Sequence, residues 1–326
     1  MNPMNGALII DKPAGWTSHD VVARARRLLH ERRVGHTGTL DPFATGVLVL
    51  LIGRATRLAQ FLSGLEKEYE AIIRLGFSTD TGDVTGQRLP AAETSENSPL
   101  RQGYCSAPPL SFSESQIANA LQSLRGEIDQ VPPMYSAKKR QGRKLYELAR
   151  RGEKVERQPV RVYVRELVSL NPTGELLKDN LDGTLDLQVR VVCSAGTYIR
   201  TLAEDFGKRL GVGAHLTELR RTRVGDFKIG SASTPDQLQA SIAEESLGRL
   251  LLTPDAALAH LPAVDLVDAD VSRVRHGVNV NAQEPAWTNG QQIRLRDKHG
   301  SLIAVASFEA ETKALHPRVV LAPDEV

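Results

Sequence analysis

One stretch constrains this chain more than any other: Gly35-His36-Thr37-Gly38-Thr39-Leu40-Asp41-Pro42-Phe43-Ala44-Thr45-Gly46-Val47-Leu48. Glycines, a histidine and an Asp-Pro step come just before an apolar run from Val47 to Ile52. Glycine is used where the backbone must take positive φ or admit a close neighbour. Pro42 restricts the chain around it, so Asp41 is offered on a turn at the edge of an apolar element. A lone carboxylate in such a place can be a nucleophile, a base or a turn residue, and its surroundings must decide.

The chain of 326 residues is long enough for two domains. We place the first at residues 1–250 and a smaller one at 251–326. Hydrophobic residues at 41% and charged residues at 25% are ordinary for a globular protein. Cys105 and Cys193 are too few for a disulfide framework or a multi-cysteine zinc site, which fits a reducing cytoplasm. No basic segment followed by a long apolar core opens the chain, so no signal peptide is expected. No apolar run approaches the ~20 residues that span a bilayer, so no membrane partner is expected. His30 and His36 are six apart, and neither His-Glu-x-x-His nor Cys-x-x-Cys occurs, so no metal site is expected. Gly35 to Gly38 lacks the Lys-Ser/Thr ending of a phosphate loop, and there is no Gly-x-Ser-x-Gly elbow.

Charge is unevenly placed on a chain whose net charge is only +2. Residues 132–165 hold eleven basic and three acidic side chains, a net of +8, whereas residues 264–326 hold seven basic and nine acidic ones, a net of −2. A basic stripe on a nearly neutral protein suits a polyanion touching one face, and it equally suits a solvated helix face.

Periodicity supplies a sketch of the elements. Leu8 to Ile10 reads as a strand. Ser18 is the expected cap of a helix whose apolar positions are Val21, Val22, Ala25, Leu28 and Leu29. Glu68 to Leu75 alternates, with Tyr69, Ala71, Ile73 and Leu75 on one side. Residues 88–112 carry four prolines and little periodicity and read as a surface insertion. Ser113 and Gln116 have capping-box spacing for a helix ending near Gly126. A short basic helix is expected over Leu145 to Arg151. Val160, Val162 and Val164 alternate with Arg161, Tyr163 and Arg165, and Leu185 to Val191 alternates likewise. A helix after Gly196 turns Ile199, Leu202, Ala203 and Phe206 inward. The tail, from Ile293 to Leu321, reads as a compact β module. Pattern alone reaches a mixed α and β protein and stops there.

Five polar, glycine-punctuated segments lie close to the apolar strands: Asp11 to Ser18, the Asp41 stretch, Lys67-Glu68-Tyr69, Thr79 to Gly86, and Gly196 to Thr201. With Gln130 to Ala137, Leu145 to Arg150 and Leu219-Arg220-Arg221-Thr222, in this order, they resemble the TruB family of tRNA pseudouridine synthases. The resemblance runs from about residue 6 to residue 232, and the tail is similar to the family's PUA-like domain. It implies an α+β pseudouridine synthase fold, with a mixed, largely antiparallel sheet, flanking helices and a small C-terminal β-rich domain. It implies isomerisation of uridine to pseudouridine at position 55 in the T-loop of tRNA, with base flipping, no cofactor and no metal, by a protein expected to be monomeric.

Carried onto this sequence, the resemblance makes Asp41 the essential carboxylate. Arg200 is its partner, expected to keep it ionised. Tyr69 would stack on the uracil and present a phenol near the ribose. His36 would fill the space left by the flipped nucleotide, Leu219 would lie under the uracil, and Asp83 would contact the nucleotide. Tyr198 would shape the pocket wall. Lys12 would support the catalytic loop at the substrate site, and Lys139 belongs to a basic stretch suited to phosphate contacts. Two other readings stay open: an RNA-binding or tRNA-folding factor, and a glycoside-cleaving enzyme pairing Asp41 with Asp80 or Asp83. The length of the 88–112 insertion and Lys138 in place of an aliphatic residue depart from the family pattern.

Overall fold

A computed structural model of the chain describes residues 4–90, 110–135, 155–170, 174–282 and 287–321, with the backbone of 139–140 and 143–144. Most of the expected insertion, the basic helix over 145–151 and Lys138 lie outside the described residues. No helix among the described residues is long and apolar enough to cross a membrane.

The first two thirds of the chain build one large sheet. Its main strands are β1 (Gly6–Lys12), β2 (Val34–His36), β3 (Thr45–Ile52), β4 (Lys67–Leu75), β5 (Gly126–Gln130), β6 (Val160–Ser169), β7 (Leu185–Cys193) and β8 (Ala214–Val224), with the two-residue strands Lys178–Asp179 and Phe227–Lys228 added at β7 and β8. The order across the sheet is β1-β3-β8-β4-β7-β6-β5, with β2 also on β3. These pairings are antiparallel except for a short parallel contact in which Arg220 and Arg221 meet Thr45 and Gly46. That contact brings β8 alongside the start of β3, next to the Asp41 loop.

Strand β3 is buried on both faces. Val47, Val49 and Leu51 enter one apolar cluster, and Leu48, Leu50 and Ile52 enter another. A strand covered on both sides reads as a continuous apolar run rather than an alternation, which accounts for Val47 to Ile52. The cover on one face is helix α1 (Ser18–Leu29), through Val21, Val22 and Ala25. On β4, Tyr69, Ala71, Ile73 and Leu75 face inward as the alternation requires. They pack with Leu187, Val189 and Val191 of β7 and with Ile199, Leu202, Ala203 and Phe206 of a helix over Ile199–Arg209.

Two helix ends differ from the sequence reading. Thr17, not Ser18, caps α1, in a capping box with Asp20. Ser18 is the first helical residue, and its hydroxyl accepts from Leu40 N at 2.9 Å, tying α1 to the Asp41 loop. The Ser113 capping box with Gln116 is present, but its helix ends at Gln122 and Gly126 already begins β5.

A second sheet of five strands follows, from Ala263–Asp265 to Ala314–Val320. It has its own core, with Leu266, Val274, Ile293, Leu295, Ile303, Phe308 and Leu315. The other face of the same sheet gives Leu302, Val305 and Val319 to the cluster that holds Val47, Val49 and Leu51. The segment between the sheets is also anchored, because Leu252 and Ala7 exchange backbone hydrogen bonds at 2.9 Å.

Candidate active site

The Asp41 loop is held from several directions. Gly46 has φ of +103°, and a Cβ there would lie 2.2 Å from the carbonyl oxygen of Arg221, so only glycine lets β8 approach. Behind the loop, Lys12 is fully buried and donates to the carbonyls of Pro13 at 2.8 Å, Trp16 at 2.7 Å and Pro42 at 3.2 Å. Three acceptors match the three N–H groups of an ammonium. On the far side, the Gln130 amide clasps the backbone of Tyr198, accepting from its N at 2.9 Å and donating to its O at 3.2 Å. That clasp fixes the start of the helix whose second residue is Arg200.

Arg200 reaches Asp41 with Nε to Oδ2 at 2.9 Å and Nη2 to Oδ1 at 3.2 Å. Its guanidinium also donates to Tyr135 O at 2.6 Å and Thr81 O at 2.8 Å and stands 3.6 Å from Asp83 Oδ2. The planar fork is fully used, which fixes the orientation of the Asp41 carboxylate. A surface arginine would do none of this, and Arg200 is buried.

A cavity of about 250 Å³ opens in front of the pair. Its walls include Asp41, Tyr69, Tyr198, Arg200 and Leu219, drawn from a loop, two strands and a helix. Burial raises Asp41 above the ordinary carboxylate range, with Arg200 opposing the rise and Asp83 adding to it. Arg200 therefore limits the rise, acting in the direction that favours the ionised carboxylate. Burial also raises the Tyr69 phenol, with Arg221 opposing.

Other expected site residues stand elsewhere. Lys12 stands behind the loop, with its three N–H groups given to the carbonyls of Pro13, Trp16 and Pro42, the supporting place the sequence reading gave it. Asp83 also lies off the cavity wall. It is buried beside Arg200, with its carboxylate accepting from Thr85 N at 2.9 Å and Thr81 Oγ1 at 2.9 Å. It serves the far side of the guanidinium instead of facing the cavity, and so makes no second carboxylate for glycoside cleavage. His36 is half-buried at the end of β2, its Nδ1 accepting from Gly38 N at 3.3 Å, and burial lowers its pKa. Lys139 lies in a two-residue strand paired with Lys144, and only its backbone is described.

Two cavity residues had no role in the sequence reading. Lys67 is buried at the start of β4, and its Nζ donates to Ser63 O at 2.7 Å and Leu65 O at 2.6 Å. Burial brings its pKa down to about 8. Arg221 is buried on β8, with Nε donating to Val47 O at 2.7 Å and Nη2 to Gly38 O at 3.0 Å. It fills the fork where β2 and β8 part along the same edge of β3.

Comparison with known proteins places this geometry. The family description "TruB family pseudouridylate synthase (N terminal domain)" matches residues 26–199, and "tRNA pseudouridylate synthase B C-terminal domain" matches residues 200–259. A tRNA pseudouridine synthase B of Thermobifida fusca is 43% identical over 319 residues, covering 98% of this chain and 99% of that one. Its namesake in Ralstonia nicotianae is 41% identical over 311 residues, covering 94% of this chain and 91% of that one. Among solved structures, a Cbf5-Nop10-Gar1 complex matches with a TM-score of 0.71 at 27% identity, over 98% of this chain and 85% of the other. An H/ACA RNP bound to a substrate RNA containing 2'-deoxyuridine matches with a TM-score of 0.69 at 26% identity, over 98% and 86%. Fold, motif order and these likenesses agree: the chain belongs to the TruB family of pseudouridylate synthases.

Proposed function

We propose that this enzyme isomerises uridine to pseudouridine in tRNA, at position 55 of the T-loop, with Asp41 as the essential carboxylate. The observation that carries the reading is the Asp41–Arg200 pair on the wall of a cavity shared with Tyr69 and Leu219. A uridine in the tRNA elbow is stacked and out of reach, so it must be flipped into such a cavity before any group can act on it. Tyr69 offers a flat face to the ring, and Leu219 an apolar floor. Asp41 then attacks the sugar or the ring, or assists removal of a ribose proton. Exchange of the C–N bond for a C–C bond leaves the oxidation level unchanged, so the reaction asks for no redox partner.

The names of the relatives support tRNA as the substrate, and the basic stretch over 132–165 supports contact with its phosphates, which supply affinity and register. Recognition of the T-loop itself rests on shape and splayed bases. The C-terminal module, PUA-like in the sequence reading, carries a net charge of −2 over residues 264–326 and adds little to phosphate attraction.

The test is incubation of the purified protein with unmodified tRNA transcript, followed by site-resolved mapping. Pseudouridine confined to the T-loop uridine is the expected result. Tight binding without product, or product elsewhere, overturns the reading.

A further inference from the structure

Lys67 and Arg221 are an unusual pair to bury. Each is less than a tenth exposed, at 6% and 2%, and each lines the cavity. Among the described residues neither forms an ion pair with a carboxylate, in contrast to Arg200 between Asp41 and Asp83. Two of the three N–H groups of Lys67 go to backbone carbonyls, and so do Nε and Nη2 of Arg221. One N–H on Lys67 is left over, and the Arg221 guanidinium also hydrogen-bonds the Tyr69 phenol on the cavity wall. The two cations share a face with Tyr69: Lys67 is two residues away on β4, and Arg221 is the cross-strand partner of Tyr69 on β8. Buried cations are costly unless something negative meets them.

We propose that Lys67 and Arg221 form an electrostatic site for the uracil ring in its electron-rich form, neutralising the charge that collects on its carbonyl oxygens during isomerisation. This rests on the uridine-isomerase reading above. When the C1′–N1 bond breaks, its electron pair leaves with N1 and spreads over O2 and O4, making a uracil monoanion. The sugar carbon is meanwhile captured by the Asp41 carboxylate, or the ribose gives up its C2′ proton to it. Attack by C5 on C1′ then returns the electron pair, and releases the carboxylate or takes back the proton. Transfer of the C5 proton to N1 completes an isomer of unchanged composition. If Asp41 instead adds to the ring, the displaced ring electrons collect on O4, so the same two cations serve each route. Preorganised charge aimed at developing charge is among the largest sources of rate enhancement.

A phosphate of the flipped nucleotide would offer these cations the same charge, and the experiment separates the two sources. Lys67→Met, Lys67→Arg and Arg221→Gln are compared with wild type for tRNA affinity at several salt concentrations and for single-turnover rate. Each is also tested on tRNA carrying 5-fluorouridine at the target, a base that holds negative charge more easily, by following loss of the uridine analogue. For Lys67→Met and Arg221→Gln we expect affinity and salt slope as in wild type and a single-turnover rate lower by about 100-fold. Lys67→Arg recovers most of that loss. In the slow variants the ratio of the 5-fluorouridine rate to the uridine rate rises by about tenfold, because the base then supplies what the cation no longer does. A merely structural role would not move that ratio.

An unchanged ratio overturns the proposal, and so do variants at the wild-type rate. Weaker binding with a shallower salt slope and an unchanged rate also overturns it, and assigns the pair to a phosphate. If Lys67→Met fails to fold, the 5-fluorouridine ratio in Lys67→Arg and Arg221→Gln decides. A wild-type protein that makes no pseudouridine fails the functional reading itself, a result distinct from any of these.

Discussion

The two sheets treat charge in opposite ways. The large sheet and its loops bury Lys67, Arg200 and Arg221 on the cavity wall, with Lys12 behind the Asp41 loop and Asp83 on the far side of Arg200. In the five-stranded sheet and its helix, residues 263–321, the one buried polar residue among those described is Ser307. The charges of that module sit at its rim, in pairs such as Arg296 with Asp265 at 2.8 Å and Lys298 with Asp268 at 2.9 Å. Burial of charge costs stability, and the five-stranded sheet keeps its charge outside. The large sheet carries that cost at the candidate active site.

The contrast can be broken by substitution. The largest effect is expected from Asp41→Asn, which should bind tRNA yet lose at least about 10⁴-fold in single-turnover rate; clear turnover by this variant would remove Asp41 from the centre of the site. Arg200→Lys comes next. An ammonium cannot span Asp41, Tyr135 O and Thr81 O together, so a loss of about 10²- to 10³-fold is expected in the same assay. In the other sheet, Leu295→Ala deletes buried apolar volume and should cost about 2–5 kcal/mol in denaturant unfolding. Its rate at 25 °C should match wild type, and an equal loss of catalysis would erase the distinction between the sheets.

A pH series sharpens the same contrast. In the folded protein Lys67 has its pKa lowered to about 8, so the folded state releases this proton before the unfolded chain does. The unfolded state then binds more protons above that pH, and stability contributed by this site grows as pH rises from about 8 toward the ordinary lysine value. The Tm of wild type relative to Lys67→Met should therefore improve over that window; a constant or shrinking difference would refute the sign. The smallest effect belongs to the module's rim. Lys298→Ala removes one exposed ion pair and should leave Tm and turnover where they were.

Local pattern made much of this visible, but only up to a point. The alternation of β4 and β7, the apolar face of α1 and the inward set of the Arg200 helix could all be read from spacing. Asp41 stood out through its glycines, and the family resemblance supplied Arg200 as its partner. Lys67 and Arg221 could not be read in the same way. Leu219-Arg220-Arg221-Thr222-Arg223 looks like a basic surface run, and strict alternation would pair Arg221 with Arg223 on one face. The register of β8 shifts between Leu216 and Glu218 and again between Arg221 and Arg223. As a result Arg220 meets Asp11 at 2.7 Å, Arg223 meets Glu66 at 3.0 Å, and Arg221 turns into the cavity. Lys67 was hidden for another reason: its partners are carbonyls, which every residue has, and no side-chain code announces them. Thr17 displaced Ser18 as the cap because the Ser18 hydroxyl is used by the Leu40 backbone.

Strand β3 has one end at the Asp41 loop and one face against the five-stranded sheet, where Leu302, Val305, Val319 and Leu321 close over Val47, Val49 and Leu51. Arg54 adds a bond from the end of that region to Leu321 O at 3.1 Å. The C-terminal portion is therefore not a detachable accessory. A truncation before Ala263 would strip the cover from the strand that follows the Asp41 loop, leaving an adhesive apolar surface. Transplanting a foreign tail would demand that its inner side match the back of β3 methyl for methyl. Heritable change on the two sides of that seam is thus coupled: what drifts in the tail must be answered in the strand behind Asp41.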